Sequence, residues 1–110
     1  MIRRLQIVAN WKMTPKTGAE AKSLFEKTKR AAKKYKSLDV IVCPPHSFLP
    51  LVKAGTQSGF FLGAQNVSGE KEGAYTGEVS AEQLKSIGVS HVLVGHSERR
   101  AMGESDATVS

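Results

Sequence analysis

One stretch decides the fold of this chain: Val92-Leu93-Val94-Gly95-His96-Ser97-Glu98-Arg99-Arg100. Its first three residues are uncharged and mostly β-branched, which predicts a strand over residues 91–94 that is buried on both faces. His96 follows the carboxyl end of this strand, and ligands bind at that edge of sheets flanked by helices. A histidine followed at once by charged residues therefore indicates a candidate site, with a solvated charged turn as the alternative.

Three more strands are predicted upstream, at residues 5–9, 38–43 and 60–64, each of them a short apolar run, and the first of them is predicted to be buried. Pro44 and Pro45 end the second strand because neither residue can donate a hydrogen bond to a strand ladder. Helical patterns separate the strands, so strand and helix alternate four times. That alternation is typical of a parallel α/β sheet with right-handed crossovers.

The first helix is predicted from a capping box formed by Thr17 and Glu20, followed by apolar residues at helical spacing. Its lysines contribute to a net charge of +6. They are not interleaved with stacking aromatic residues and match no nucleic-acid-binding motif, so we predict a solvated helix face and no nucleic-acid partner. The lysines concerned are Lys22, Lys27, Lys29, Lys33 and Lys34.

Two further helices are predicted from their capping residues. Ser47 is placed to cap a helix over residues 48–58, in which a proline is tolerated in the first turn. Ser80 and Gln83 form a second capping box, which predicts a short helix that ends at Gly88.

The composition limits the compartment and the class of protein. Among 110 residues the single Cys43 cannot form an internal disulfide, which predicts a cytoplasmic protein with Cys43 as a small buried strand residue. No apolar run approaches the ~20 residues of a membrane span, and no signal segment precedes the first strand, so we expect no membrane association.

Several motifs resemble one known family, and they occur in the same order as in that family. The family is triosephosphate isomerase. The motifs are Ala9-Asn10-Trp11-Lys12-Met13, Cys43-Pro44-Pro45, Gly63-Ala64-Gln65-Asn66-Val67, Gly73-Ala74-Tyr75-Thr76-Gly77-Glu78-Val79-Ser80 and Gly95-His96-Ser97-Glu98-Arg99-Arg100.

The resemblance implies the N-terminal half of a TIM (β/α)8 barrel: four parallel strands alternating with helices, in a single incomplete domain over residues 1–110. A closed barrel of this kind needs about 250 residues. The remaining units are therefore expected from a complementing C-terminal half or, by self-association, from a homo-oligomer, because unpaired edge strands and uncovered apolar faces seek a partner.

The resemblance also assigns roles to individual residues. His96 is the catalytic electrophile, a neutral imidazole, and Lys12 is both catalytic and substrate-binding. Asn10 binds substrate. Ser97 begins the turn at His96, and Glu98 orients Lys12. Physical chemistry agrees for Lys12, since its cation suits a phosphate dianion and a developing enediolate oxygen; a solvated lysine after a strand is the alternative. Trp11, His46 and His91 are interpreted as structural.

The implied reaction is the interconversion of dihydroxyacetone phosphate and glyceraldehyde 3-phosphate, a step of glycolysis and gluconeogenesis that needs neither cofactor nor metal. The family's catalytic glutamate follows the sixth strand and has no counterpart in these 110 residues. We therefore expect the isolated chain to be inactive or nearly so. The alternative function is a self-associating half-barrel scaffold that binds phosphate without turnover.

The long loop over residues 65–79 matches a family loop that reaches into a neighbouring subunit. Thr76 and Gly77 lie near its tip, so the resemblance implies that they make a dimer contact. A mobile surface loop is the alternative, since long loops without secondary structure are either functional or disordered.

Overall fold

The computed structural model describes residues 5–55, 57–70 and 72–94, and these form one sheet of four parallel strands alternating with helical segments. The strands are β1 (Leu5–Asn10), β2 (Leu38–Cys43), β3 (Phe60–Ala64) and β4 (Val89–Val92). The helices are α1 (Gly18–Ala32), a 3₁₀ helix (His46–Leu51) and α2 (Ala81–Ser86). The strand order is β1-β2-β3-β4 and the sheet is open. This is the predicted α/β arrangement, consistent with the N-terminal part of a TIM barrel.

The strand register brings the carboxyl ends of the first three strands to one edge of the sheet. Asn10, the last residue of β1, is opposite Cys43, the last residue of β2. Val42 is in turn opposite Leu62 of β3. Parallel pairing fixes this convergence, because every strand then ends on the same side. The segments that follow β1, β2 and β3 therefore meet.

The hydrophobic core lies between the sheet and the helices on one side of it. The ring of Phe25 on α1 packs edge-on against Phe60 of β3, with centroids 5.3 Å apart, and against Trp11, at 6.5 Å. Trp11 is therefore a packing residue, as predicted. The buried core cluster consists of Phe25, Val42, Leu49, Val52, Phe60, Leu62, Ala64, Leu84 and Val89.

The predicted capping residues begin both α-helices. At α1 the Thr17 hydroxyl accepts a hydrogen bond from the Glu20 N–H at 3.2 Å, which is one of the two bonds of the predicted capping box. At α2, Ser80 and Gln83 form a reciprocal capping box with bonds of 3.1 and 2.9 Å. Gly88 then takes a φ of +91°, a conformation that suits glycine, and the chain enters β4 at the next residue.

The helix predicted over residues 48–58 is wrong. A 3₁₀ helix occupies His46–Leu51, and Val52 is already extended, with φ −124° and ψ 147°. The 3₁₀ helix follows Pro45 and has no side-chain cap, so the predicted cap at Ser47 is absent as well. Val52 is extended and Gly55 is left-handed, with φ +68°, and no α-helix over residues 48–58 can contain these conformations.

The outer strands are more exposed than the sequence predicted. Leu5 is 72% exposed and Ile7 is 48% exposed on β1, while Val92 is 41% exposed on β4. The predicted fourth strand is present, but β4 spans Val89–Val92 and not residues 91–94, and it is not buried on both faces. One hydrogen bond from the Leu93 N–H to the Ala64 carbonyl continues the pairing. Both strands are edges of an open sheet, and no described element covers their outer sides.

Gly63 is the point at which β3 tolerates no side chain. A Cβ placed there would lie 2.5 Å from Cys43 Sγ and 3.0 Å from Ile41 Cγ2, both in the neighbouring strand. We expect Gly63→Ala to lower the free energy of unfolding by about 1–3 kcal/mol through overpacking. Urea unfolding of the two proteins measures the difference. Gly69→Ala is the matched control, because nothing lies within 4 Å of its Cβ position, and equal losses at both sites would contradict this account.

Cys43 is buried, as predicted, and burial raises the pKa of its thiol to about 11. A raised pKa favours the protonated form, so at pH 8 about one molecule in a thousand carries the thiolate that reacts with disulfide reagents. We expect thiol labelling of the folded chain at pH 8 to be at least about 100-fold slower than in denaturant. Equal rates in the folded and denatured chain would show that the thiol is accessible and ionises normally.

Candidate functional site

The candidate site begins where β1 ends. Asn10 is the last residue of β1 and Lys12 follows two positions later, at the carboxyl edge of the sheet. The side-chain oxygen of Asn10 accepts a hydrogen bond from the backbone N–H of Lys12 at 2.9 Å. This is the bond by which an asparagine side chain stabilises a turn two residues on. The two predicted substrate-binding residues are therefore in direct contact.

The backbone of Lys12 is left-handed, with φ +56°, and it is the only residue other than glycine in that region among the described parts of the chain. For a residue with a Cβ this conformation costs about 1 kcal/mol or more of free energy, so neighbouring contacts must stabilise it. Lys12 is also exposed. A strained backbone that carries an exposed cation at a sheet edge is typical of a functional position.

Gln65, the first residue after β3, holds the other side of Lys12. Its side-chain Nε2 donates one hydrogen bond to the Lys12 carbonyl at 2.6 Å and another to the Cys43 carbonyl at 3.0 Å. The Cys43 carbonyl also accepts a hydrogen bond from the Trp11 N–H at 3.1 Å. One amide group thus connects the segment that follows β1 to the last residue of β2.

Gln65 belongs to the motif at residues 63–67, but no role was predicted for it. The available signal was its position, directly after a strand at the edge where the other site residues lie. Its partners are backbone carbonyls of residues 12 and 43, which are distant in sequence, so no local spacing could reveal the contacts.

The predicted site residues His96, Ser97 and Glu98 lie outside the described residues. β4 is the strand that precedes them in sequence, and β1 and β4 are the two outermost strands of the described sheet. The structure therefore brings Asn10 and Lys12 together, adds Gln65, and leaves the contribution of the three later residues as a prediction.

The other two histidines have structural partners. His46 Nε2 lies 3.0 Å from the Asn66 carbonyl, and His91 Nδ1 lies 2.8 Å from the Ser90 hydroxyl. The His91 ring also contacts Phe61, with centroids 5.1 Å apart. These contacts match the structural interpretation of both residues.

The loop over residues 65–79 has a backbone hydrogen bond across its base and a β-turn at its tip. The Ser68 N–H donates to the Val79 carbonyl at 2.7 Å, and the Glu78 N–H donates to the Tyr75 carbonyl at 2.9 Å. Thr76 and Gly77 occupy the centre of this turn, where Gly77 has φ +86°, as the third position of a type II turn requires. Both residues are exposed.

Neither a metal cluster nor a membrane helix is present in the described parts of the chain. No group of three or more His, Cys, Asp or Glu side chains there could hold a metal ion. No helix in residues 5–55, 57–70 and 72–94 is both long and apolar enough to cross a membrane.

Comparisons with known proteins identify one family. The family model described as triosephosphate isomerase matches residues 5–110. The triosephosphate isomerase of Thermus thermophilus is 47% identical over 98% of this chain, and those of Carboxydothermus hydrogenoformans and Solibacter usitatus are 46% and 44% identical over the same share. The matches cover 43%, 43% and 44% of these relatives, so the chain spans less than half of their length. The chain belongs to the triosephosphate isomerase family.

Proposed function

We propose that this chain supplies the substrate-binding edge of a triosephosphate isomerase, which interconverts dihydroxyacetone phosphate and glyceraldehyde 3-phosphate in glycolysis and gluconeogenesis. The observation that supports this most strongly is the geometry of Lys12: an exposed cation on a left-handed backbone, tied to Asn10 at the carboxyl end of a parallel strand. Relatives that match this segment are named triosephosphate isomerase.

Lys12 has two tasks in the proposed reaction. Its ammonium attracts the phosphate dianion of the substrate, and it stabilises the negative charge that develops on the enediolate oxygen. The side-chain Nδ2 of Asn10 remains available to donate a neutral hydrogen bond in the same region, because the contact to Lys12 uses Oδ1. The pair therefore combines a charge with a directional donor.

His96 is the proposed electrophile. A neutral imidazole can hydrogen-bond the substrate carbonyl and pass protons between its two oxygens. We propose that Ser97 begins the turn that orients His96, and that Glu98 orients Lys12. These roles rest on the family resemblance of the motif at residues 95–100, and no cofactor or metal takes part.

The remaining barrel units are part of this proposal, whether they follow in the same polypeptide or belong to a separate chain. In the family the catalytic glutamate follows the sixth strand, and this chain corresponds to the first four strands. The 110 residues alone are therefore expected to be inactive, since proton abstraction from carbon needs a base within hydrogen-bond reach. The proposed setting is the cytoplasm, with Thr76 and Gly77 contacting a second subunit.

A second function is favoured by the exposure of the edge strands. Leu5 and Val94, one near each edge of the sheet, are 72% and 56% exposed. Two copies of the chain could pair these edges and form a scaffold that binds phosphate at Lys12 without turnover. Isomerase activity upon completion with the second half of a family member separates the two functions, because the scaffold hypothesis predicts none.

The test is to fuse this chain to the C-terminal portion of the Thermus thermophilus relative and to assay isomerisation. We expect an active chimaera in which Lys12→Met lowers kcat/KM at least about 100-fold, through loss of transition-state charge stabilisation. Lys16→Met, which removes the same charge from an exposed loop residue nearby, should stay within about twofold.

His96→Asn in the same chimaera should lower kcat by about 100-fold or more, since general acid–base and electrophilic assistance is lost. An inactive parent chimaera of correct fold would contradict the proposed function. An active chimaera in which both Lys12→Met and His96→Asn behave like the parent would instead refute the assigned site.

A further inference from the structure

We propose that Gln65 is a positioning residue that sets the direction of the Lys12 side chain and so controls phosphate binding. This inference rests on the proposed function, because it acts through Lys12. It also adds a residue that the sequence motifs did not distinguish. The hydrogen bonds from Gln65 to two backbone carbonyls, one of them that of Lys12, assign it to positioning.

Both N–H groups of the Gln65 side-chain amide have hydrogen-bond acceptors. Nε2 carries two protons, and it has two carbonyl partners, those of Lys12 at 2.6 Å and Cys43 at 3.0 Å. Two acceptors on different segments fix both the position and the plane of the amide. A half-buried side chain held in this way is a fixed support.

Lys12 depends on such a support because its backbone is left-handed. The peptide units on its two sides are held separately: Asn10 Oδ1 accepts the Lys12 N–H, and Gln65 donates to the Lys12 carbonyl. If either bond is lost, the backbone can relax to a negative φ, which L-residues prefer. That rotation turns the Cα–Cβ bond, and the ammonium at the end of the long side chain moves with it.

The same contact joins three strand ends into one unit. Cys43 is the last residue of β2, and its carbonyl accepts hydrogen bonds from both Gln65 and Trp11. Trp11 lies between Asn10 and Lys12, and its ring packs on Phe25 of the core. Lys12 is therefore held in place by contacts with β2, β3 and the core, and not only by β1.

The experiment uses the chimaera described above and compares Gln65→Met with Gln57→Met. Gln57 is the matched control, because its Nε2 donates to the Lys29 carbonyl at 2.9 Å in a similar long-range contact that does not involve Lys12. We expect Gln65→Met to lower kcat/KM about 10- to 100-fold, the scale of a misplacement near 1 Å. Gln57→Met should change it less than about twofold, even if both variants lose thermal stability.

A double-mutant cycle distinguishes positioning from a general structural effect. In the Lys12→Met background, we expect Gln65→Met to change kcat/KM and the inhibition constant of inorganic phosphate by less than about twofold, because the group it positions is gone. In the parent it should weaken phosphate inhibition about tenfold. A loss of full size in both backgrounds would overturn the inference.

Gln65→Glu is a second variant that keeps the shape of the side chain. Its ionised carboxylate faces two carbonyl oxygens and cannot donate, whereas its protonated form can donate to one of them. The ratio of its kcat/KM to that of the parent should therefore rise as the pH is lowered from about 8 to about 5. A ratio that is independent of pH would count against the inference.

The outcomes also separate this inference from the proposed function. An active parent chimaera with an unaffected Gln65→Met variant contradicts only the role of Gln65. A parent without isomerase activity contradicts the proposed function and, with it, the role of Gln65.

Discussion

Parallel pairing of β1, β2 and β3 is the constraint on which the rest of the structure depends. It places Asn10 opposite Cys43 and brings the end of β3 alongside, so that segments distant in sequence meet at one edge. Gln65 can then reach the carbonyls of Lys12 and Cys43. The strained backbone of Lys12 persists because the ends of the strands hold it, which is how a rigid sheet presents a precise side chain on a loop.

The same pairing leaves the sheet open. Among the described strands β1 and β4 each have one neighbour. Leu5 and Ile7 of β1 and Val92 of β4 are exposed, whereas the apolar side chains of β2 and β3 are buried or half-buried. The unpaired backbone groups of an exposed edge strand can pair with a further strand. The chain spans less than half of the relatives that it matches, and under the proposed function further βα units would pair with these edge strands.

The sequence predicted those features that local chemistry determines. Thr17 and Ser80 begin helices because their side chains bond nearby backbone N–H groups. β2 ends as predicted because Pro44 follows it, and β3 begins as predicted after Gly59. Prediction from the sequence failed for Val92, which was assumed to be covered on both faces, and for Gln65, whose partners are backbone atoms far along the chain. The helix predicted over residues 48–58 failed for a local reason, because Val52 is extended and Gly55 is left-handed.

Hydrogen exchange of the β1 amides tests the central claim, which is that this chain presents an open edge completed by further strands. We predict that amides of Leu5–Asn10 that point away from β2 exchange rapidly in the isolated chain and become protected in the completed barrel, while those of the central strand β3 are protected in both. Protection of β1 that is already complete in the monomeric chain, or that does not increase in an active completed barrel, would contradict the account.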